Sequence, residues 1–372
     1  MPLQKNPGAV RRFAKLMQFA AWLQSIPNKL TPPPFRLIQI GSAFWQSRAL
    51  HVAVRLDIAS VLADKTLTAA AIAAHIGASA DAVHRLLRML SAMGIFTEQP
   101  PGSFRNNRLS AYLREDNPQN VRAMILMHNS PEMSVPWYEQ LEQGMRNNEV
   151  PFQLAHGDTL YGYMDSHAEF DRLFTRAMAS VEALTGDSFA TDFDWCQFDR
   201  VIDVGGSQGN KSVALLKRHP HLSALVFDRS QVIQAAANHW AEQAPPSLLA
   251  RLAFQAGDLL ESVPSANNDR DIYLLSAVLH GMDDGACVKA LGNLASACAG
   301  TGARIALLEW VVAKNQADFA SAAFDMQMFM ATRGRERTLA QWRHLFGQSG
   351  LALEEVVGLQ SIGKLLVLKP QG

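Results

Sequence analysis

Arg200-Val-Ile-Asp-Val-Gly-Gly-Ser-Gln-Gly-Asn210 is the stretch on which the fold turns. Val201, Ile202 and Val204, around Asp203, make a short apolar strand that runs straight into Gly205-Gly206-Ser207-Gln208-Gly209, and Ser212 to Arg218 then has helical spacing. Glycine lacks a Cβ, so the backbone can take positive φ and a ligand can lie close against it, while the N–H groups of the helix start face the same crevice. Such a turn is either a tight strand-to-helix connection or a cradle for a nucleotide-type ligand.

From Asp199 onward the chain alternates strand and helix, the texture of a parallel sheet with crossover helices. Strands are expected near 200–204, 223–227, 252–256, 271–275, 303–309, 352–357 and 364–368. If the glycine turn holds a nucleoside, a carboxylate should end the second strand to accept hydrogen bonds from ribose hydroxyls. Asp228 stands there, about 20 residues after the last glycine, the offset that rule gives. Asp258 follows the third strand in Gly257-Asp258-Leu259. Each acid alone also reads as a helix cap. Beyond the fourth strand, Ser276-Ala-Val-Leu-His280 puts a histidine at the crevice, where an imidazole with an ordinary pKa near 6.5 suits a general base. The fifth strand ends in Glu309, and Glu336 lies in the Arg-rich run Thr332–Thr338. A carboxylate beside an imidazole fixes its tautomer and stabilises the imidazolium; the bland alternatives are a structural histidine and a surface ion pair.

With 372 residues the chain is long enough for two domains. Lys plus Arg equals Asp plus Glu at 34 each, so no global charge argues for nucleic acid or an anionic membrane. Three cysteines without a CxxC exclude a disulfide framework, a zinc ribbon and an iron–sulfur site, and fit a reducing cytoplasm. No apolar run approaches the roughly 20 residues that cross a bilayer.

No Asp or Glu precedes Asp57, the look of a transit peptide, yet Phe13, Leu16, Met17, Ala20 and Leu23 keep a helical period that favours a docking or dimer-forming helix. Residues 1–34 are expected as one amphipathic helix closed by Pro27 and Pro32-Pro33-Pro34, followed by an apolar helical stretch over Phe35–Leu62. A helix from Thr68, a turn at Gly77, a second helix capped by Asp81 with Val83, Leu86, Leu87 and Leu90 inward, and a hairpin over 95–107 spell a winged helix. Winged helices often bind DNA, but His84, Arg85 and Arg88 make no dense basic stripe. Residues 118–180 read as helical, with a break at Gly157, Tyr161, Gly162 and Tyr163.

In the order Asp203-Val-Gly-Gly-Ser-Gln-Gly209, Phe227-Asp228, Gly257-Asp258-Leu259, Leu275–Asp284 and Gly334-Arg-Glu-Arg-Thr338 with Trp342, the chain resembles the S-adenosylmethionine-dependent O-methyltransferases of the plant caffeate and bacterial polyketide/phenazine type. The resemblance implies an α/β fold, a C-terminal Rossmann-like seven-stranded class I methyltransferase domain with an α-helical winged-helix dimerisation domain before it. It divides the chain into an N-terminal helix extension (1–34), a dimerisation domain (35–115), a helical linker with pocket helices (116–190) and the cofactor-binding domain (191–372). The family's catalytic histidine matches His280 and its two flanking glutamates match Glu309 and Glu336. Its cofactor contacts match Gly205, Asp228 and Asp258, and the candidate set around them adds Asp203, Gly206, Ser207, Arg229, Leu259, Ser276 and Met282. Phe174 and Met178 match substrate-pocket positions, with Met328 beside them. Ser276, Gly281 and Met282 stand where the family more often has Lys, Asp and Trp.

The resemblance thus implies methyl transfer from S-adenosylmethionine, leaving S-adenosylhomocysteine, to a hydroxyl of a small aromatic acceptor, with His280 as base. No metal, nucleic acid or membrane partner is expected, and a cytoplasmic homodimer is. N- or C-methylation, or a repurposed member of the fold, stays open beside a winged-helix regulator and a nicotinamide-dependent oxidoreductase.

Overall fold

The computed structural model describes residues 2–371, with side chains for all of these except residue 28 and residues 182–185. It divides into two compact units, Ala20–Thr185 and a second made of Met1–Phe19 with Gly186–Gly372.

A helix spans Pro7–Leu30, and Pro27, expected to end it, lies inside it. Proline withholds only its own N–H from the ladder, and the helix runs on for three more residues. The next helix starts on Pro33 and Pro34, where missing donors would be orphans anyway. The single stretch expected over Phe35–Leu62 is three helices, Pro33–Gly41, Phe44–Arg55 and Ile58–Leu62. The last break falls at Asp57, left-handed at φ 52°, and it lets Val54, Ile58 and Leu62 reach the core while Trp45 stays exposed. The helix Ala69–Ile76 is capped by the Thr68 hydroxyl, which accepts from the Ala71 N–H at 3.2 Å. The helix Ala80–Ala92 has Ser79 at its N-cap; Asp81, expected there, sits in the first turn and pairs with Arg85 at 2.7 Å. A carboxylate still favours that position through the helix dipole. Val83, Leu87 and Leu90 are buried, as their spacing requires.

Strands β1 (Leu67–Thr68), β2 (Phe96–Glu98) and β3 (Ser103–Asn106) form an antiparallel sheet in the order β1-β3-β2. The hairpin was expected and the short β1 was not. Further on, Gly157 breaks the chain in the left-handed region, but Tyr161, Gly162 and Tyr163 lie within the helix Leu160–Ser166, which Thr159 caps through the Gly162 N–H.

The second unit holds β4 (Arg200–Val204), β5 (Ser223–Asp228), β6 (Leu252–Ala256), β7 (Asp271–Ser276), β8 (Arg304–Glu309), β9 (Val311–Val312), β10 (Arg337–Thr338), β11 (Leu351–Gly358) and β12 (Lys364–Pro370). Seven of them make one sheet, β11-β12-β8-β7-β4-β5-β6, parallel from β8 to β6 and closed at the other edge by an antiparallel hairpin. The small β9–β10 pair is separate and parallel. Strands β4, β5, β7 and β8 are buried on both faces, so they read as apolar runs, while β6 at the edge is largely exposed. Val201 and Ile202 accordingly belong to different core clusters. Strand order reverses at β4, between β5 and β7, which opens a crevice at the carboxyl ends of these strands.

One tie was invisible in sequence. The N–H groups of Leu3 and Gln4 donate to the Glu355 carboxylate at 2.9 and 3.2 Å, Gln4 brackets the Gly358 backbone, and Leu3 is buried in the sheet's core. No helix among the described residues is long and apolar enough to cross a membrane.

Candidate active site

The glycine turn closes β4 at the reversal point. Gly205 has φ +69°, and a Cβ there would stand 2.7 Å from Val278; one on Gly206 would stand 2.7 Å from Asp203 Cγ. Both positions therefore bring backbone, not side chain, to the crevice. Asp203 is 1% exposed and its carboxylate accepts from the Ser212 hydroxyl at 2.6 Å, so it braces the turn from inside. Asp228 ends β5 and accepts from the N–H groups of Ser207 (2.9 Å) and Arg229 (2.7 Å), which ties the two strand ends together. Ser207 itself is left-handed at φ 51°. Asp258 is exposed after β6, and neighbouring Leu259 is buried in the core. Gly257 is obligatory, since its Cβ would meet the Phe227 ring at 2.3 Å. Ser276 ends β7 and Met282 follows the next turn, both half-buried.

His280 lies in the one-turn helix Leu279–Gly281. Its Nδ1 and Glu336 Oε1 are 2.7 Å apart, with the Glu336 side chain fully buried and that of His280 15% exposed. Glu336 thus holds the proton on Nδ1 and leaves Nε2 as the basic atom. Glu309 is buried at the end of β8 and accepts from the Leu279 N–H at 3.1 Å. Glu309 Oε2 and Glu336 Oε2 are buried with no hydrogen-bond partner among the described residues. Burial opposes the His280 imidazolium, but the Glu336 hydrogen bond and the charges of both glutamates outweigh it and raise its pKa above the ordinary value. Burial pushes the Glu309 carboxyl up to about 7; the His280 charge opposes that and Glu336 adds to it. Three ionisable groups share one dry site, the arrangement that perturbed pKa values mark in catalytic centres.

Sequence reasoning left several parts out. Phe324 packs 5.7 Å, centroid to centroid, from the His280 ring and 5.3 Å from Trp310, which makes an aromatic wall beside that histidine. Asp325 accepts from the Glu336 N–H at 2.8 Å. Gly334 has no room for a Cβ, which would fall 1.9 Å from the His280 carbonyl oxygen. Met328, half-buried, shares the helix Phe319–Ala331 with Phe324 and Asp325. Phe174 and Met178 sit half-buried on the helix Ala168–Thr185 of the other unit, where Phe174 contacts Phe170. In that unit Arg85 pairs with Asp81 and His84 lies 3.7 Å from Glu98, while Arg88 is exposed on the same helix. No group of three or more potential metal ligands occurs among the described residues.

A seven-stranded sheet in this order, with a glycine turn after β4 and an acid at the end of its neighbour β5, defines a class I S-adenosylmethionine-dependent methyltransferase. The chain belongs to the O-methyltransferase family: the O-methyltransferase domain model matches residues 138–352 and the O-methyltransferase dimerisation domain matches residues 38–116. It is 30% identical to a phenazine O-methyltransferase of Lysobacter antibioticus, over 90% of this chain and 95% of that one. It is 32% identical to a phenazine-1-carboxylate N-methyltransferase of Pseudomonas aeruginosa, over 89% and 96%. Among solved structures, a methyltransferase of calicheamicin biosynthesis in its SAH-bound form superimposes with a TM-score of 0.78 at 29% identity, covering 91% of this chain and 98% of that one.

Proposed function

We propose that the enzyme methylates a hydroxyl group on a small aromatic acceptor of secondary metabolism, with His280 as general base. The observation that carries this reading is the buried His280–Glu336 pair, which frees Nε2 to take a proton at the crevice. S-adenosylmethionine fits the residues present. Gly205 and Gly206 would offer bare backbone to its methionine portion, Asp228 would accept from its ribose hydroxyls, and Asp258 and Met282 are the residues that would hold its adenine portion. When bound, it supplies an electrophilic methyl group on a positively charged sulfur. The chain's own part is to hold the acceptor, exclude water and remove the hydroxyl proton to His280, while Glu336 and Glu309 orient the ring and stabilise the imidazolium. Phe324 and Trp310 give a flat ring a surface to lie against.

N-methylation is the second reading, favoured by the likeness to an N-methyltransferase. A neutral acceptor nitrogen leans less on a base. Labelled methyl transfer to paired phenol and amine acceptors, with the product bond assigned by NMR, separates the two; methyl on nitrogen alone would overturn the first.

We further propose a homodimer through the N-terminal unit, with the reducing cytoplasm as its compartment. The matched dimerisation domain supports the dimer. So does the helix Pro7–Leu30, where Leu16, Leu23 and Leu30 repeat at seven-residue spacing and are 62%, 46% and 78% exposed. Light scattering on the full chain should give twice 40.8 kDa, and a monomer at micromolar concentration would refute the dimer.

A further inference from the structure

We propose that Arg337 is a positioning residue for methyl transfer, locking the turn that carries His280 onto the segment that carries Glu336. The inference rests on the reading of His280 as the base. Arg337 is 0% exposed, a costly place for a guanidinium unless its donors are used. They are used, chiefly on the turn around His280 and the helix start that follows it. Nη1 donates to the Leu279 carbonyl at 3.1 Å and Nη2 to the Met282 carbonyl at 2.8 Å, so the fork grips the one-turn helix around His280 from both ends. Nε and Nη2 also donate to Asp284 Oδ1 at 3.0 and 2.7 Å, at the start of the following helix, and the guanidinium lies 5.1 Å from the Trp342 ring centroid.

The neighbours of Arg337 complete the clamp. Gly334 lies against the His280 carbonyl with no space for a side chain. Glu336 takes Nδ1 of the same histidine, and Arg337 and Thr338 pair with Val311 and Val312, just beyond Glu309. Imidazole, both carboxylates and the Met282 backbone are thereby held as one unit. A planar fork fixes two carbonyls and a carboxylate at once, and an ammonium on a flexible stem cannot reproduce that geometry. Glu309, Glu336 and Arg337 are the charged groups that act on His280, and the positive charge of Arg337 works to lower its pKa.

The test compares Arg337→Lys, which keeps the charge, with Arg337→Met, which removes it, using kcat, KM, melting temperature and pH profile beside His280→Ala. In Arg337→Lys, kcat should fall on the order of 10- to 100-fold, the scale of losing an orienting partner. KM for the acceptor should stay within about threefold and the acid limb should keep its place. In Arg337→Met, the acid limb should move to higher pH, because the cation that opposes the imidazolium is gone. Should the Met variant not fold, the Lys variant decides alone. A folded Arg337→Lys enzyme with full kcat, or with kcat and KM both unmoved while only the melting temperature drops, overturns the proposal. A fully active His280→Ala enzyme would instead overturn the reading of the base on which it rests.

Discussion

Replacing Glu336 by Gln tests how the base is tuned. The amide oxygen can still accept from Nδ1–H at the 2.7 Å the carboxylate occupies, so packing and tautomer persist and only the charge is lost. A hydrogen bond to a charged group is worth about 1.5–3 kcal/mol. The neutral bond that stays is worth about 0.5–1.5 kcal/mol, so the loss is about 1–1.5 kcal/mol and, at about 1.4 kcal/mol per decade, the plateau of kcat/KM falls roughly 5- to 10-fold, because the imidazolium proposed for the transition state loses a buried counter-charge. As the proposed base His280 works in its neutral form, so activity should be lost as pH falls through its pKa. Glu336 raises that pKa, and its loss should shift the acid limb to lower pH while the plateau drops. A stopped assay of methyl incorporation from pH 5 to 9 gives both numbers. A plateau within about threefold of wild type with an unmoved limb would refute the reasoning.

Glu309→Gln should raise stability, and more so at high pH. Its carboxyl is held at about 7 against an ordinary 4.5, so ionising it strains the fold increasingly as pH rises through that window, by on the order of 3 kcal/mol above it. The melting temperature of the variant should exceed that of wild type at pH 8 and converge with it at pH 5; the reverse trend would count against a buried, reluctant carboxylate. Gly334→Ala should abolish turnover in a folded protein, since its Cβ would displace the His280 carbonyl, 1.9 Å away; circular dichroism separates this from unfolding. Asp228→Asn should weaken S-adenosylhomocysteine binding by roughly 10- to 100-fold in calorimetry, the worth of hydrogen bonds to a charged group, with kcat at saturating cofactor nearly kept.

Most of the catalytic unit was legible in the sequence because its inner strands β4, β5, β7 and β8 are sheathed on both faces and so form largely apolar runs. Observed boundaries such as 271–276 and 364–370 differ from the expected ones by two residues at most. The histidine and two glutamates were legible as separate candidates, a histidine beyond one strand end, an acid at the next and an acid in an Arg-rich run, and the resemblance joined them into one site. An Arg-rich loop looks like solvated surface, and nothing local says that Glu336 and Arg337 are buried; tertiary contact with the Leu279–Met282 turn decides that. Docking of Leu3 and Gln4 left no trace because so short a stretch ahead of the first helix has no period. Pro27 misled because its local rule is outweighed by the turns on either side.

The most direct test of the account is the second-order rate of the His280→Ala enzyme on a phenolic acceptor at saturating S-adenosylmethionine. General-base catalysis predicts a fall of about 10²–10⁴-fold at pH 7 with loss of the acid limb. Undiminished turnover with the wild-type pH profile would contradict it.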